Sequence, residues 1–172
     1  QALDETLSLR VRSLLARPVW ESDAFLLMAH HVIARAGDFA SAYNGALAGY
    51  RREKKVRSPM RPMPDLAALD DCVELPFWLD DLQTGARIRP SAFTSGDGYV
   101  ICLVNGETFY FDPSADGWES ARKLSAWLHQ HHLRLAPRAV VLTMFMRLLV
   151  VDQFIHGIGG GQYDQITDRI LA

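Results

Sequence analysis

The sequence is poor in the features that assign a function quickly. It has only two cysteines in 172 residues, Cys72 and Cys102, each in an apolar segment and in neither a CxxC nor a metal-like spacing. That excludes a thiol redox pair or zinc site of the usual kind and reads both as small buried hydrophobes of a reduced compartment. An excess of one charge is lacking too: 18 Lys and Arg against 20 Asp and Glu leave a net charge of −2, so no global field draws the chain to nucleic acid. Long apolar runs are missing. The best one, Ala139 to Met146, meets Arg147 and Asp152 before it reaches the roughly 20 residues of a membrane span. With no signal-peptide pattern, the expectation is a cytoplasmic protein without a membrane partner. Neither GxGxxG nor GxxxxGK[ST] occurs, and there are no repeats or low-complexity tracts.

What is present is an ordinary core composition, 49% hydrophobic and 22% charged, enough for one compact domain that folds without staples. Starting at Gln1 and stopping at Ala172 soon after a glycine cluster, the chain reads as a piece of a longer protein. Residues 1–57 read as a helical segment. Leu3, Leu7, Val11, Leu14 and Leu15 repeat at helical spacing, with Pro18 expected to close that helix near Ala16. Ser22 is the expected N-cap of a second helix, through Phe25, Leu26, Met28, Ala29, Val32 and Ile33, that Gly37 should end. Asp38 should cap a third helix through Tyr43, Leu47 and Tyr50 into the basic run Arg51 to Arg61. Three prolines between Ser58 and Pro64 then forbid helix.

Residues 58–172 read as an α+β segment. A small antiparallel meander is expected at about 72–112: a strand from Val73 to Leu79, a turn at Thr84-Gly85, a strand from Arg87 to Phe93, and a hairpin, 99–111, around Asn105-Gly106. An amphipathic helix from Trp118 to His129 follows, and then a Gly-rich helix-loop-helix, 137–172, whose first helix opens at Pro137 and runs to about Ile155. That long helix is apolar nearly all round and is expected to be buried. The fold class is therefore α+β, with helices at both ends of a small sheet.

Four glycines in the five residues from Gly157 to Gly161 are costly in backbone entropy beside histidine, tyrosine and aspartate, and they mark the candidate site. Free amides at Gly159, Gly160 and Gly161, leading into a helix at about Tyr163 and Asp164, suit an anionic group. Asp152 and His156, four apart, share a helix face as a carboxylate–imidazole pair for acid–base work. Arg147, like Arg138, is expected to neutralise a ligand's charge or else to pair with a core carboxylate. The competing reading is a tight helix crossing where only glycine fits. The basic run reads as the solvated end of a helix rather than a nucleic-acid surface. His129-x-His131-His132 and His30-His31 read as structural rather than metal-binding, and no cofactor is implied.

Tyr43-Asn44 to Tyr50-Arg51-Arg52, Arg57-Ser58 to Pro64-Asp65-Leu66, Leu75-Pro76-Phe77-Trp78, and Phe154 to Gly160 with Tyr163-Asp164 and Thr167-Asp168 together resemble an uncharacterised bacterial protein family. From Leu135-Ala136-Pro137-Arg138 to Tyr163 the chain also resembles, more distantly, the bacillithiol-synthesis cysteine-adding enzymes, without their upstream Gln-containing motif. The second likeness implies a Rossmann-like core and the middle part of a larger enzyme-like protein. Two functions follow as expectations: part of a small-molecule enzyme binding an anionic ligand at 157–161, or a noncatalytic structural or assembly domain. The partner in the second case is the remainder of the polypeptide or a second copy.

Overall fold

The computed structural model describes residues 16–96, 98–102, 108–155, 157 and 160–172. The apolar repeat from Leu3 to Leu15, the Asn105-Gly106 turn, His156 and Gly159 lie outside the described residues. The fold is α+β, with helices packed on two small antiparallel sheets.

Among the described residues three helices come first: α1 (Ala16–Trp20), α2 (Asp23–Ala34) and α3 (Ala36–Glu53). Pro18 does not close a helix near Ala16 but lies inside α1, because proline lacks only its own N–H and already holds a helical φ. The stop comes at Ser22, whose amide and hydroxyl both donate to the Val19 carbonyl and whose Oγ accepts from the Phe25 N–H. Phe25, Leu26, Ala29, Val32 and Ile33 of α2 are buried as their spacing requires. Gly37 does not end α2. The break falls on Arg35 (φ −122°, ψ 36°), no left-handed residue is needed, and Gly37 and Asp38 lie in the first turn of α3.

The proline-rich stretch is laced to α3. Arg51 donates to the carbonyls of Pro59, Arg61 and Met63 and to the Asp65 carboxylate at 2.7–2.9 Å, and the Asn44 amide clasps Leu66 through both its N–H and its carbonyl. The first arginine of the basic run is thus an internal pin for backbone that prolines leave without ladder partners.

The meander divides into two sheets at its prolines. β1 (Ala68–Leu69) and β2 (Cys72–Glu74) join β5 (Ser91–Ser95), β6 (Gly98–Cys102) and β7 (Thr108–Phe111) in the order β1-β2-β5-β6-β7, whereas β3 (Phe77–Asp81) pairs with β4 (Arg87–Ile88) and β8 (Leu133–Pro137) in the order β4-β3-β8. Expected as one strand, Val73 to Leu79 breaks at Pro76; Arg87 to Phe93 breaks at Pro90. Between the pairs Glu74↔Ser91 and Leu79↔Ile88, residues 75–78 face only 89–90, a bulge that turns the ribbon out of one sheet into the other. Gly98 is obligatory: a Cβ there would stand 2.8 Å from the Phe111 carbonyl oxygen.

α4 (Gly117–Gln130) is capped by Asp116, whose carboxylate accepts from the Trp118 and Glu119 amides. Pro137 does not open a helix; it ends β8, an edge strand where a missing N–H is tolerated. The helix behind it is shorter than expected: α5 (Ala139–Phe145) widens into a π turn (Met146–Val150), and Val151 is extended. Its first half is buried and 147–150 are exposed, so beyond Met146 little packing supports further helix, which ends at Val150. α6 (Gly161–Leu171) returns across α3 and α5, burying Ile166 and Thr167. Phe25, Phe77 and Phe145 meet edge to face at the centre of one core cluster, and Tyr43, Leu47, Val140, Met144 and Ile166 form the other.

Candidate functional site

At the C-terminal corner the structure brings together only part of the expected constellation. Arg147, in the π turn, bonds Asp164 at 3.3 Å and Asp168 at 2.8 Å on α6. These three line a recess of about 420 Å³ with Val151, Asp152 and Phe154. Asp152 is not helical: the helix has ended before it and it sits in an irregular bend. The Gly160 amide is not open to a guest: its N–H donates to the Gly157 carbonyl at 2.7 Å, while the Gly160 carbonyl accepts from Tyr163 and Asp164 in the first turn of α6. Gly161 is the first helical residue. One guanidinium and three carboxylates line the recess, so it is acidic.

Arg138 belongs elsewhere. It precedes α5, at the opposite end from Arg147, and is 7% exposed. Its Nη1 donates to Glu74 Oε1 at 2.6 Å, and the guanidinium lies 5.4 Å from the Trp78 ring centre. This is the core-carboxylate pairing that the sequence reading had weighed for Arg147.

Around Arg138 lies a cluster that sequence reasoning missed. Strand alternation sends Phe77 and Leu79 into the core and Trp78 and Asp80 to the other face of β3, where the register sets Arg87 and Arg134 on either side of Asp80. Asp80 is 7% exposed and accepts from Arg87 at 2.6 and 3.2 Å and from Arg134 at 2.8 and 3.2 Å. Burial by itself would raise its pKa, but the hydrogen bonds and charge of the two guanidiniums outweigh that and hold it below the ordinary carboxylate value. Arg87 and Arg89 each lie 5.6 Å from the Trp78 ring centre. Tyr43 adjoins the cluster, and burial pushes its phenol up to about 12. The available signal was the period-two spacing in Trp78-x-Asp80, Arg87-x-Arg89 and Arg134-x-x-x-Arg138.

His129 and His132 line a cavity of about 350 Å³ with Trp20, Leu26 and Leu128. Among the described residues no group of three His, Cys, Asp or Glu side chains is placed to hold a metal ion, and no helix is long and apolar enough to cross a membrane. Comparison with known proteins finds no matching family model, no matching curated protein and no matching solved structure.

Proposed function

We propose that the chain is a noncatalytic assembly domain. One observation carries the reading: α5 runs out into three consecutive exposed apolar residues, Leu148 (54%), Leu149 (55%) and Val150 (46%), followed by Ile155 (79%). Single exposed hydrophobes are commonplace, but a contiguous run is the mark of a contact surface. The polar rim carries both signs, Arg147 against Asp164 and Asp168. A twofold pairing would set the arginine of one copy against the carboxylates of the other, so a second copy of this chain is the partner the surface fits. Sedimentation velocity over a concentration series tests this. Self-association that Leu149→Glu abolishes, with the Tm unchanged, is expected; a chain that stays monomeric throughout would overturn it.

The second reading is part of a small-molecule enzyme with an anionic ligand at 157–161 and Asp152 and His156 as its acid–base pair. The recess beside Arg147 favours it, while the three carboxylates lining that recess oppose a further negative charge. Calorimetric titration with sugar phosphates and dicarboxylates separates the two readings: binding lost in Arg147→Gln supports the enzyme-like site.

A further inference from the structure

The outer face of the β4-β3-β8 sheet is more cationic than its own partners can neutralise. Arg87 and Arg134 share the single carboxylate of Asp80, and Arg138 and Arg89 share that of Glu74, so four guanidiniums face two carboxylates. The sharing is unequal. Glu74 Oε1 is taken by Arg138 at 2.6 Å and Oε2 by the Ala67 amide, which leaves Arg89 at 3.7 Å. Among the described residues the Arg89 guanidinium makes no hydrogen bond, although its side chain is only about half exposed (47%) and lies over Trp78. Nη1 of Arg87 and Nη1 of Arg134 likewise have no hydrogen-bond partner among the described residues, since Asp80 takes the other donors of both.

Three like charges lie 5.4–5.6 Å from the centre of one indole ring and repel one another, Arg138 buried and Arg87 and Arg89 about half exposed. Asp80, beneath them, is already saturated by four N–H contacts and cannot serve further. The open donors all belong to planar guanidinium forks, the geometry that takes two oxygens of a tetrahedral or carboxylate oxyanion side by side.

The geometry points to this sheet face as a binding site for a phosphate dianion, free or as a monoester, held by Arg89 and by the spare donor of Arg87 beside the Trp78 ring. Two negative charges match the excess of four guanidiniums over two carboxylates. Two forks over one ring suit a tetrahedral group, whose oxygens diverge and can fill both, better than a planar carboxylate, which presents one edge. Asp80 and Glu74 act as positioning residues, holding the arginines in place before a ligand arrives. The site is independent of the assembly surface, which lies on the π turn beyond the far end of α5.

The test is an NMR titration of the chain with inorganic phosphate, glycerol 3-phosphate or succinate at constant ionic strength, following the Trp78 indole N–H, assigned with Trp78→Phe. A saturable shift of that resonance with phosphate or the monoester is expected, with the exposed Trp118 indole unmoved. Arg89→Gln should weaken binding about tenfold with the Tm unchanged, because Arg89 contributes no internal hydrogen bond to lose. Tighter binding of glycerol 3-phosphate than of free phosphate would assign the monoester, and the reverse order the free ion. A shift that never saturates, an affinity indifferent to Arg89→Gln, or succinate binding as tightly as phosphate would overturn the assignment.

Discussion

Glu74 with Arg138 on the three-stranded sheet and Asp168 with Arg147 at the C-terminal corner are the same two chemical groups at nearly the same separation, 2.6 and 2.8 Å, in opposite surroundings. The first pair is at most a tenth exposed on either side; in the second, Asp168 is 60% exposed. Distance therefore says little about what a pair does for stability. In the buried pair each ion would be stranded without the other, whereas in the exposed pair water replaces a lost partner at small cost. On the sheet face each charge of the pair needs its partner. The corner is held by Ile166 and the apolar residues of α3 and α5, with its ion pairs as trim.

The largest expected effect breaks the buried side of the comparison. Arg138→Leu leaves Glu74 with the Ala67 amide and a distant Arg89, and should cost about 3–5 kcal/mol in urea denaturation, while the double change Glu74→Met with Arg138→Leu should recover most of it. A single-variant loss below about 1 kcal/mol would mean that Arg89 moves in as a substitute. Next comes the one buried polar group of α6 with no partner among the described residues, Thr167 Oγ1, 0% exposed. Thr167→Val keeps the shape and removes the unmet hydroxyl, so the chain should gain about 1 kcal/mol; a loss would show that the hydroxyl has a partner after all. Smaller still is Arg147→Gln, expected to cost less than about 1 kcal/mol and to lose even that difference in high salt. The last effect is a direction rather than a size. Because the folded pKa of Asp80 lies below its ordinary 3.8, its contribution is present above that value and is lost as pH falls through the folded pKa. Asp80→Asn should flatten that stretch of an acid titration, and an unchanged slope would count against the buried network as its source.

Much of the fold was legible, for local reasons. Ser22 caps α2 through the hydroxyl geometry expected of it, and the β-rich runs around 99–111 pair as neighbouring strands β6 and β7. The amphipathic run from Trp118 forms α4. The differences in the sheets share one cause. Pro76 and Pro90 lie within runs expected as single strands, but which sheet each half joins depends on distant partners, and β8, the partner of β3, lies more than fifty residues further along. Pro137 in an apolar context fits a helix start as well as the end of an edge strand, and only pairing with Phe77 decides. The candidate site shows the same: Arg147 does meet Asp164, but as an ion pair beside the acidic recess, while the charged cluster of Trp78, Asp80 and Arg89 comes together only between distant segments.

By itself the amino-acid order determined part of the local grammar: the Ser22 cap, which stretches alternate, and where prolines forbid a ladder. Tertiary structure alone decided which arginines are buried against carboxylates and which remain unsatisfied, because a charge's neighbours are set by strand register and helix packing between segments far apart in the chain. A guanidinium at the end of β8 and one in the π turn look alike in sequence. Their surroundings, and hence their energies and uses, come from what the rest of the chain folds against them.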